Sequence, residues 1–342
     1  MRNAVTMLAV LVLAACGNRP GAGGDTSADA GPTRDASVSD AGAADASTSP
    51  DAGTGGTLTC AFERSNATGR LCAFQPSTID SRVSDEFGWH AVGIPTTVTA
   101  QTRIYVHLVG SGGQPVNPAN GNVPNLTLIQ EAVERGFLVV MPAYDNEPAV
   151  GGLCGQDLDC FEPVRREILY GEAAAGEYAD LKDVQVPNDI RSRTSMLLRA
   201  LKDGGFLGAT PPAALAGDDV DVAQLWLGGH SQGGGHVALW ARDHLVARVC
   251  MLSAPVDAAT QPSLQPAPWV GGSWVTPLGA RRAVVHEDDP VFDRVNANLD
   301  AMGLVEDTHW RRLTEATNDP HAETAKGTAA ASSSARVWAC WE

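Results

Sequence analysis

Apolar residues along the chain fall into short runs separated by glycine- and proline-rich breaks, and the runs switch between a strand period and a helix period. Residues 94–100 and 103–109 are rich in β-branched side chains, and the second run stops at Gly110-Ser111-Gly112-Gly113. Residues 126–135 repeat with helical spacing and end at Gly136 as a C-cap. The continuous apolar run 137–142 that follows is typical of a strand covered on both faces. Strand, helix and strand in that order predict a βαβ crossover and a parallel sheet. Residues 188–202 predict a helix capped by Asn188, with Ile190, Thr194, Leu197, Leu198 and Leu201 on one face. Strands at 222–227, 249–252, 283–286 and 310–313 and helices at 232–244 and 295–302 continue the alternation. Residues 144–187 break it, and the chain closes on a helix-poor, serine-rich stretch ending in Trp338-Ala339-Cys340.

None of this pattern extends to the first residues. Arg2 and Asn3 precede an apolar run from Met7 to Leu13, too short to span a bilayer, and Leu13-Ala14-Ala15-Cys16 resembles the lipobox of bacterial lipoproteins. The resemblance implies a signal peptide over 1–15, cleavage before Cys16, and a lipid on Cys16 that ties the chain to a membrane. Gly17 in the next position favours the outer membrane or cell surface. Residues 16–57 are then dominated by Ala, Asp, Gly, Ser, Thr and Pro, with Asp-Ala recurring at Asp29, Asp35, Asp40, Asp45 and Asp51. Such a segment cannot bury enough apolar surface to offset the entropy of ordering it, which predicts a disordered tether. Residues 58–342 suffice for one large α/β domain.

The formal net charge is −16. The tether holds six Asp against Arg19 and Arg34, and Arg2 stands in the signal, which leaves −13 for the domain. An acidic surface argues against nucleic acid and against an anionic substrate held by a basic cleft. With Cys16 assigned to lipid, six cysteines remain, an even count that reads as disulfides in an exported chain. Many pairings are open. Closing the local loops Cys60–Cys72 and Cys154–Cys160 leaves Cys250 to fasten Cys340, and no C-x-x-C spacing suggests structural zinc.

The chemistry centres on Leu225-Trp226-Leu227-Gly228-Gly229-His230-Ser231-Gln232-Gly233, which contains Gly229-x-Ser231-x-Gly233. A serine perched on a sharp strand-to-helix turn needs neighbours without bulk two places before and after it, and glycine meets that demand. The turn aims the Gln232 N–H at a substrate carbonyl. The glycine-rich loop after 103–109 offers the Ser111 N–H as a second oxyanion donor. Downstream, the strand 283–286 runs into Glu287-Asp288-Asp289-Pro290, and the strand 310–313 leads to Asn318-Asp319-Pro320-His321.

Strand and glycine loop, βαβ, strand-elbow-helix, strand-acid and strand-histidine in this order resemble the α/β-hydrolase superfamily over residues 90–325. The resemblance implies an α/β-hydrolase fold, with a mostly parallel central sheet and helices on both faces. It also implies a triad in the order serine, acid, histidine, each at the carboxyl end of a strand. Ser231 matches the nucleophile, Asp289 the acid and His321 the base; Asp288 and Asp257 are rivals for the acid, and His309 for the base. His286 stands where the family's acid loop has glycine. His230 is expected to pack beside the turn and His236 to reach the pocket rim, while Trp269 and Trp274 are candidates to wall a substrate pocket. The insertion 144–187 would lie over the active face.

A serine hydroxyl is a poor nucleophile unless a neutral imidazole takes its proton, and the imidazole needs a carboxylate to fix its tautomer. The reading is therefore a surface-anchored, monomeric serine hydrolase cleaving a small or polymeric carboxylic ester, with no metal or organic cofactor. With no lipase lid in the insertion, an esterase is expected rather than a triacylglycerol lipase. Peptidases and acyltransferases share the same parts. The rivals from other classes are a catalytically silent lipoprotein that binds a glycan or protein partner, and a metal site of His286, Asp288 or Asp289, and His321.

Overall fold

The computed structural model describes residues 58–342. The predicted signal peptide, Cys16 and the tether lie outside the described residues.

All seven predicted runs of strand have counterparts in one nine-stranded sheet. In chain order the strands are β1 (Phe62–Ser65), β2 (Gly69–Phe74), β3 (His90–Pro95), β4 (Ile104–Leu108), β5 (Leu138–Met141), β6 (Leu225–His230) and β7 (Arg248–Leu252). A separate antiparallel pair, β8 (Ala258–Ala259) and β9 (Gln265–Pro266), precedes β10 (Arg281–His286) and β11 (Trp310–Leu313). The spatial order is β1-β2-β3-β5-β4-β6-β7-β10-β11. β1, β2 and β3 join antiparallel, β3 meets β5 antiparallel, and the six strands from β5 to β11 are parallel. The chain leaves β4 outward to β5 and later returns to the other side of β4 as β6. The strand order thus reverses at the sheet's middle, where open α/β sheets leave a crevice at their carboxyl ends.

The helices are α1 (Pro76–Ile79), α2 (Leu126–Glu134), α3 (Val150–Cys154), α4 (Phe161–Tyr170), α5 (Ile190–Asp203), α6 (Gln232–Asp243), α7 (Phe292–Ala301), α8 (Pro320–Lys326) and α9 (Ala330–Arg336). They cover both faces, as β6 demonstrates with its period of two. A Cβ on Gly229 would collide with the backbone of Gly233 in α6. One on Gly228 would strike the Tyr105 ring on the opposite face, where Trp341 packs edge-on at 5.8 Å. The predicted βαβ crossover is β4-α2-β5, with Leu128, Ile129, Ala132 and Val133 of α2 buried. Disulfides join Cys60 to Cys72, Cys154 to Cys160 and Cys250 to Cys340.

Some elements differ from the sequence expectation. The strand expected at 94–100 is β3, ending at Pro95, because Thr99 and Thr102 close a local turn: Thr102 Oγ1 accepts from the Thr99 N–H, and the Thr102 N–H donates to the Thr99 carbonyl. Asp189, not Asn188, caps α5, accepting from the Ser192 N–H at 2.9 Å, while the Asn188 carboxamide is taken by Ser84 and Arg193. Residues 222–224 form a 3-10 turn ahead of β6, capped by Asp221. The region 144–187 contains α3 and α4. The closing stretch is helical, with α8, α9 and a π-helical turn at Val337–Trp341, because Ser332 is buried against the Glu323 carboxylate rather than solvated.

Three core histidines are fully enclosed. Burial pushes His90 and His107 down to about 3, with Arg193 adding to the effect at His90 and His230 at His107. His236 is driven well below its ordinary value, by burial first. Between about pH 3 and the ordinary 6.5 the unfolded chain binds protons that the folded one refuses, so stability rises with pH across that window and is lost on acidification. Urea unfolding midpoints should therefore fall from pH 7 to pH 5, each histidine contributing at most about 1.4 kcal/mol per pH unit. A flat profile would mean that these imidazoles take up protons without opening the core.

Candidate active site

β6 delivers Ser231 to a backbone conformation of φ 53° and ψ −119°, a left-handed excursion unusual for a residue with a Cβ. What holds it there is backbone on backbone. A Cβ on Gly229 would collide with Gly233, and a Cβ on Gly233 would collide with the carbonyl oxygens of Leu108 and Val109 at the end of β4. Helix α6 can start immediately after the serine only because these positions carry no side chain.

At the end of β10, Asp289 is 4% exposed and both its oxygens accept from the His321 Nδ1–H, at 2.9 and 3.0 Å. The imidazole's Nε2 is thereby left as the basic nitrogen. Burial pushes the Asp289 carboxyl up, but the hydrogen bond from His321, the Val291 N–H and the Ser253 hydroxyl outweigh it and hold the carboxyl below its ordinary value. His321 sits in the first turn of α8, capped by Asp319 through the Ala322 N–H. Its carbonyl accepts from His230 Nε2–H at 2.8 Å and from Ser253 Oγ at 3.2 Å. The His230 ring lies 4.7 Å from the His321 ring, and burial, with the His321 charge next, lowers His230 to about 4. A neutral His230 thus packs beside the turn.

Ser231, His321, His230 and the loop Gly110–Gly113 line one cavity of about 660 Å³. Among the described residues the Ser231 hydroxyl has no hydrogen bond; contacts between a nucleophile and its base are often loose without substrate and tighten around it. Ser111 lines the cavity, whereas Gln232 begins α6 beneath it. The Gln232 carboxamide oxygen accepts from Ser111 Oγ at 3.0 Å and from the Val150 N–H at 2.9 Å. Asn146 Nδ2 donates to the carbonyls of Gly110 and Gly113 at 3.0 and 2.7 Å, so the insertion's first residues lie against this loop.

The other candidates are engaged elsewhere. Asp257 is locked in a buried bidentate pair with Arg165 at 2.5 Å, and also accepts from Trp269 Nε1. Asp288 is exposed. His309 Nδ1 accepts from the Val305 N–H at the far end of β11. His236 is fully buried against Tyr144 and does not reach the pocket rim, because α6 turns it inward. Trp269 is buried and Trp274 donates to the Val270 carbonyl; neither lines the Ser231 cavity. His286 accepts from the Asp288 N–H at Nδ1 and donates from Nε2 to the Glu315 carbonyl, bracing the acid turn. Both its ring nitrogens are thus engaged in hydrogen bonds within the chain. The one trio of metal-binding type that converges among the described residues is Cys60, Glu63 and Cys72, whose cysteines form a disulfide.

The strand order, the turn after β6 and the positions after β10 and β11 together decide the fold. The chain has the α/β-hydrolase fold. No family model and no curated protein matches it. Among solved structures it is similar to esterase B from Lactobacillus rhamnosis, 14% identical, covering 81% of this chain and 85% of that one, with a TM-score of 0.46. It is also similar to a hyperthermophilic esterase from the archaeon Pyrobaculum calidifontis, 16% identical, covering 73% and 78%, TM-score 0.40. A third is EstE1, a thermophilic carboxylesterase cloned from a metagenomic library, 13% identical, covering 83% and 88%, TM-score 0.39. The strand order, not these distant similarities, fixes the fold.

Sequence reasoning missed Asn146, Arg165 and Ser253, whose role depends on partners far along the chain. Arg165 Nη1 donates to the Gln232 carbonyl, and its guanidinium occupies the space a Cβ on Gly235 would need. In this α/β-hydrolase elbow Gly233→Ala should drive a methyl into β4 and cost about 1–3 kcal/mol or abolish folding, measured by thermal unfolding. An unchanged Tm would mean that α6 and β4 can separate freely.

Proposed function

We propose that the protein is a serine hydrolase that cleaves carboxylic esters through an acyl-serine intermediate. The observation that carries the reading is the Asp289–His321 pair, whose imidazole lines the same cavity as the strained Ser231. Ser231 Oγ attacks the ester carbonyl carbon while its proton passes to His321 Nε2, and Asp289 stabilises the imidazolium that forms. The N–H groups of Gln232 and Ser111 hold the oxyanion. Collapse of the tetrahedral species expels the alcohol, which takes the proton from His321. Water, deprotonated in turn by His321, then releases the carboxylic acid and restores the serine. Residues 58–342 form the catalytic domain, carried at the cell surface on a tether from a lipid on Cys16.

A fluorophosphonate probe should label the parent protein and not Ser231→Ala. An unlabelled parent, under conditions that label a known serine hydrolase, would remove the proposal's support. Asp289→Asn, which leaves the imidazole in the wrong tautomer, should lower kcat on p-nitrophenyl acetate at neutral pH by roughly 10³–10⁴-fold. A loss of less than tenfold would show that another group orients His321.

A further inference from the structure

The cavity over Ser231 is walled in a way that bears on its substrate. Only Val109 and Pro124 among its lining residues bring hydrocarbon side chains; no aromatic residue other than histidine and no carboxylate faces it. The wall beyond the glycine loop is made instead of carboxamides, including Gln114, Asn122 and Asn125, with Lys326 at the edge. Asn125 stands directly before α2, yet its side chain does not cap the helix. It is 5% exposed, and its Oδ1 is buried with no hydrogen-bond partner. The side chains of Gln114, Asn122 and Lys326 make no hydrogen bond to the described residues and stand open to solvent, Asn122 and Lys326 being exposed and Gln114 half-buried.

A buried acceptor left unpaired costs about 1–3 kcal/mol, and a turn of the Asn125 carboxamide that brings it to the donor of a ligand in the cavity recovers that cost. A carboxamide offers a donor and an acceptor together, as does a hydroxyl group, so several of them on one wall match a surface of hydroxyls. A long acyl chain would find no apolar wall here, and a cationic substrate no carboxylate. An anion would be met by Lys326 but would leave Asn125 Oδ1 unsatisfied, because it brings no donor.

From this juxtaposition we infer that the substrate is a short-chain acyl ester of a polyhydroxylated alcohol, a sugar O-acyl ester, with the sugar hydroxyls bound by Asn125, its neighbouring carboxamides and Lys326. The inference rests on the hydrolase reading above and deepens it. The acyl group occupies the space by the glycine loop, and the sugar is the leaving alcohol. Asn125 and Lys326 act in specificity, not in bond making.

The test compares kcat/KM on methyl 6-O-acetyl-glucopyranoside with that on butyl acetate, both acetates of primary alcohols, alongside p-nitrophenyl acetate. The parent should prefer the glycoside acetate by at least about tenfold. Asn125→Ala should cut the glycoside-to-butyl ratio about tenfold, the loss expected of one well-buried hydrogen bond. Because Asn125 is buried, Lys326→Gln, a substitution on the exposed edge, provides a second measurement and should lower the same ratio severalfold. Turnover of p-nitrophenyl acetate with a ratio near one in the parent, or a ratio that neither variant moves, would overturn the sugar assignment and leave the hydrolase standing. Failure of p-nitrophenyl acetate turnover and of fluorophosphonate labelling together would overturn both.

Discussion

The structure depends on a close approach between two pieces of backbone. The first turn of α6 lies so near the end of β4 that a single methyl on Gly233 has no room, and the same proximity forces Ser231 into its left-handed conformation. Strain at one residue is tolerable when surrounding contacts over-determine it. Here they do: the Ser231 N–H donates to the Leu252 carbonyl in β7, and the Ser231 carbonyl accepts from Gly235 in the helix. The serine's exposure to the crevice follows from packing that would exist without any substrate.

Around that fixed point, buried polar groups set the positions of the mobile-looking parts. Asn146 clamps two carbonyls of the glycine loop, Gln232 ties the same loop to the start of α3, and Arg165 spans from α4 to Asp257 and to the Gln232 carbonyl. Removing one member of such a network leaves a buried partner unpaired, which costs more than the bond itself contributes. The insertion is thus fastened to the site by polar bonds, its disulfide joining α3 to the start of α4 within it, and the loop that faces the substrate is held from behind.

Legibility followed the range of the interactions. The elbow could be read because its requirement is local: glycine two before and two after a serine, between a strand and a helix. The parallel sheet could be read from β4, α2 and β5 because continuous apolar runs and a Gly136 cap need no distant partner. The hairpin β1–β2 escaped because Phe62–Ser65 carries exposed charges on an edge. Helix α4 escaped because Glu162, Arg165, Arg166 and Glu167 look solvated until Asp257 and Asp243 are seen beside them. The terminal helices were hidden by serines and alanines with weak periodicity. At the site, Asp289 and His321 were legible from their order after β10 and β11, whereas His286 looked like a defect in the acid loop. Its two hydrogen bonds brace the turn that carries Asp289.

The disulfide from Cys250 to Cys340 has a consequence for how the molecule is made. β7 lies in the interior of the sheet, and Trp341, next to the cysteine, covers the Tyr105 ring on one of its faces. That cover comes from a segment 90 positions beyond the strand it is fastened to. Until residues 337–341 dock, one side of the central strands stays open to solvent, so closing this sheet waits on contacts between segments far apart in sequence, which are slow to form.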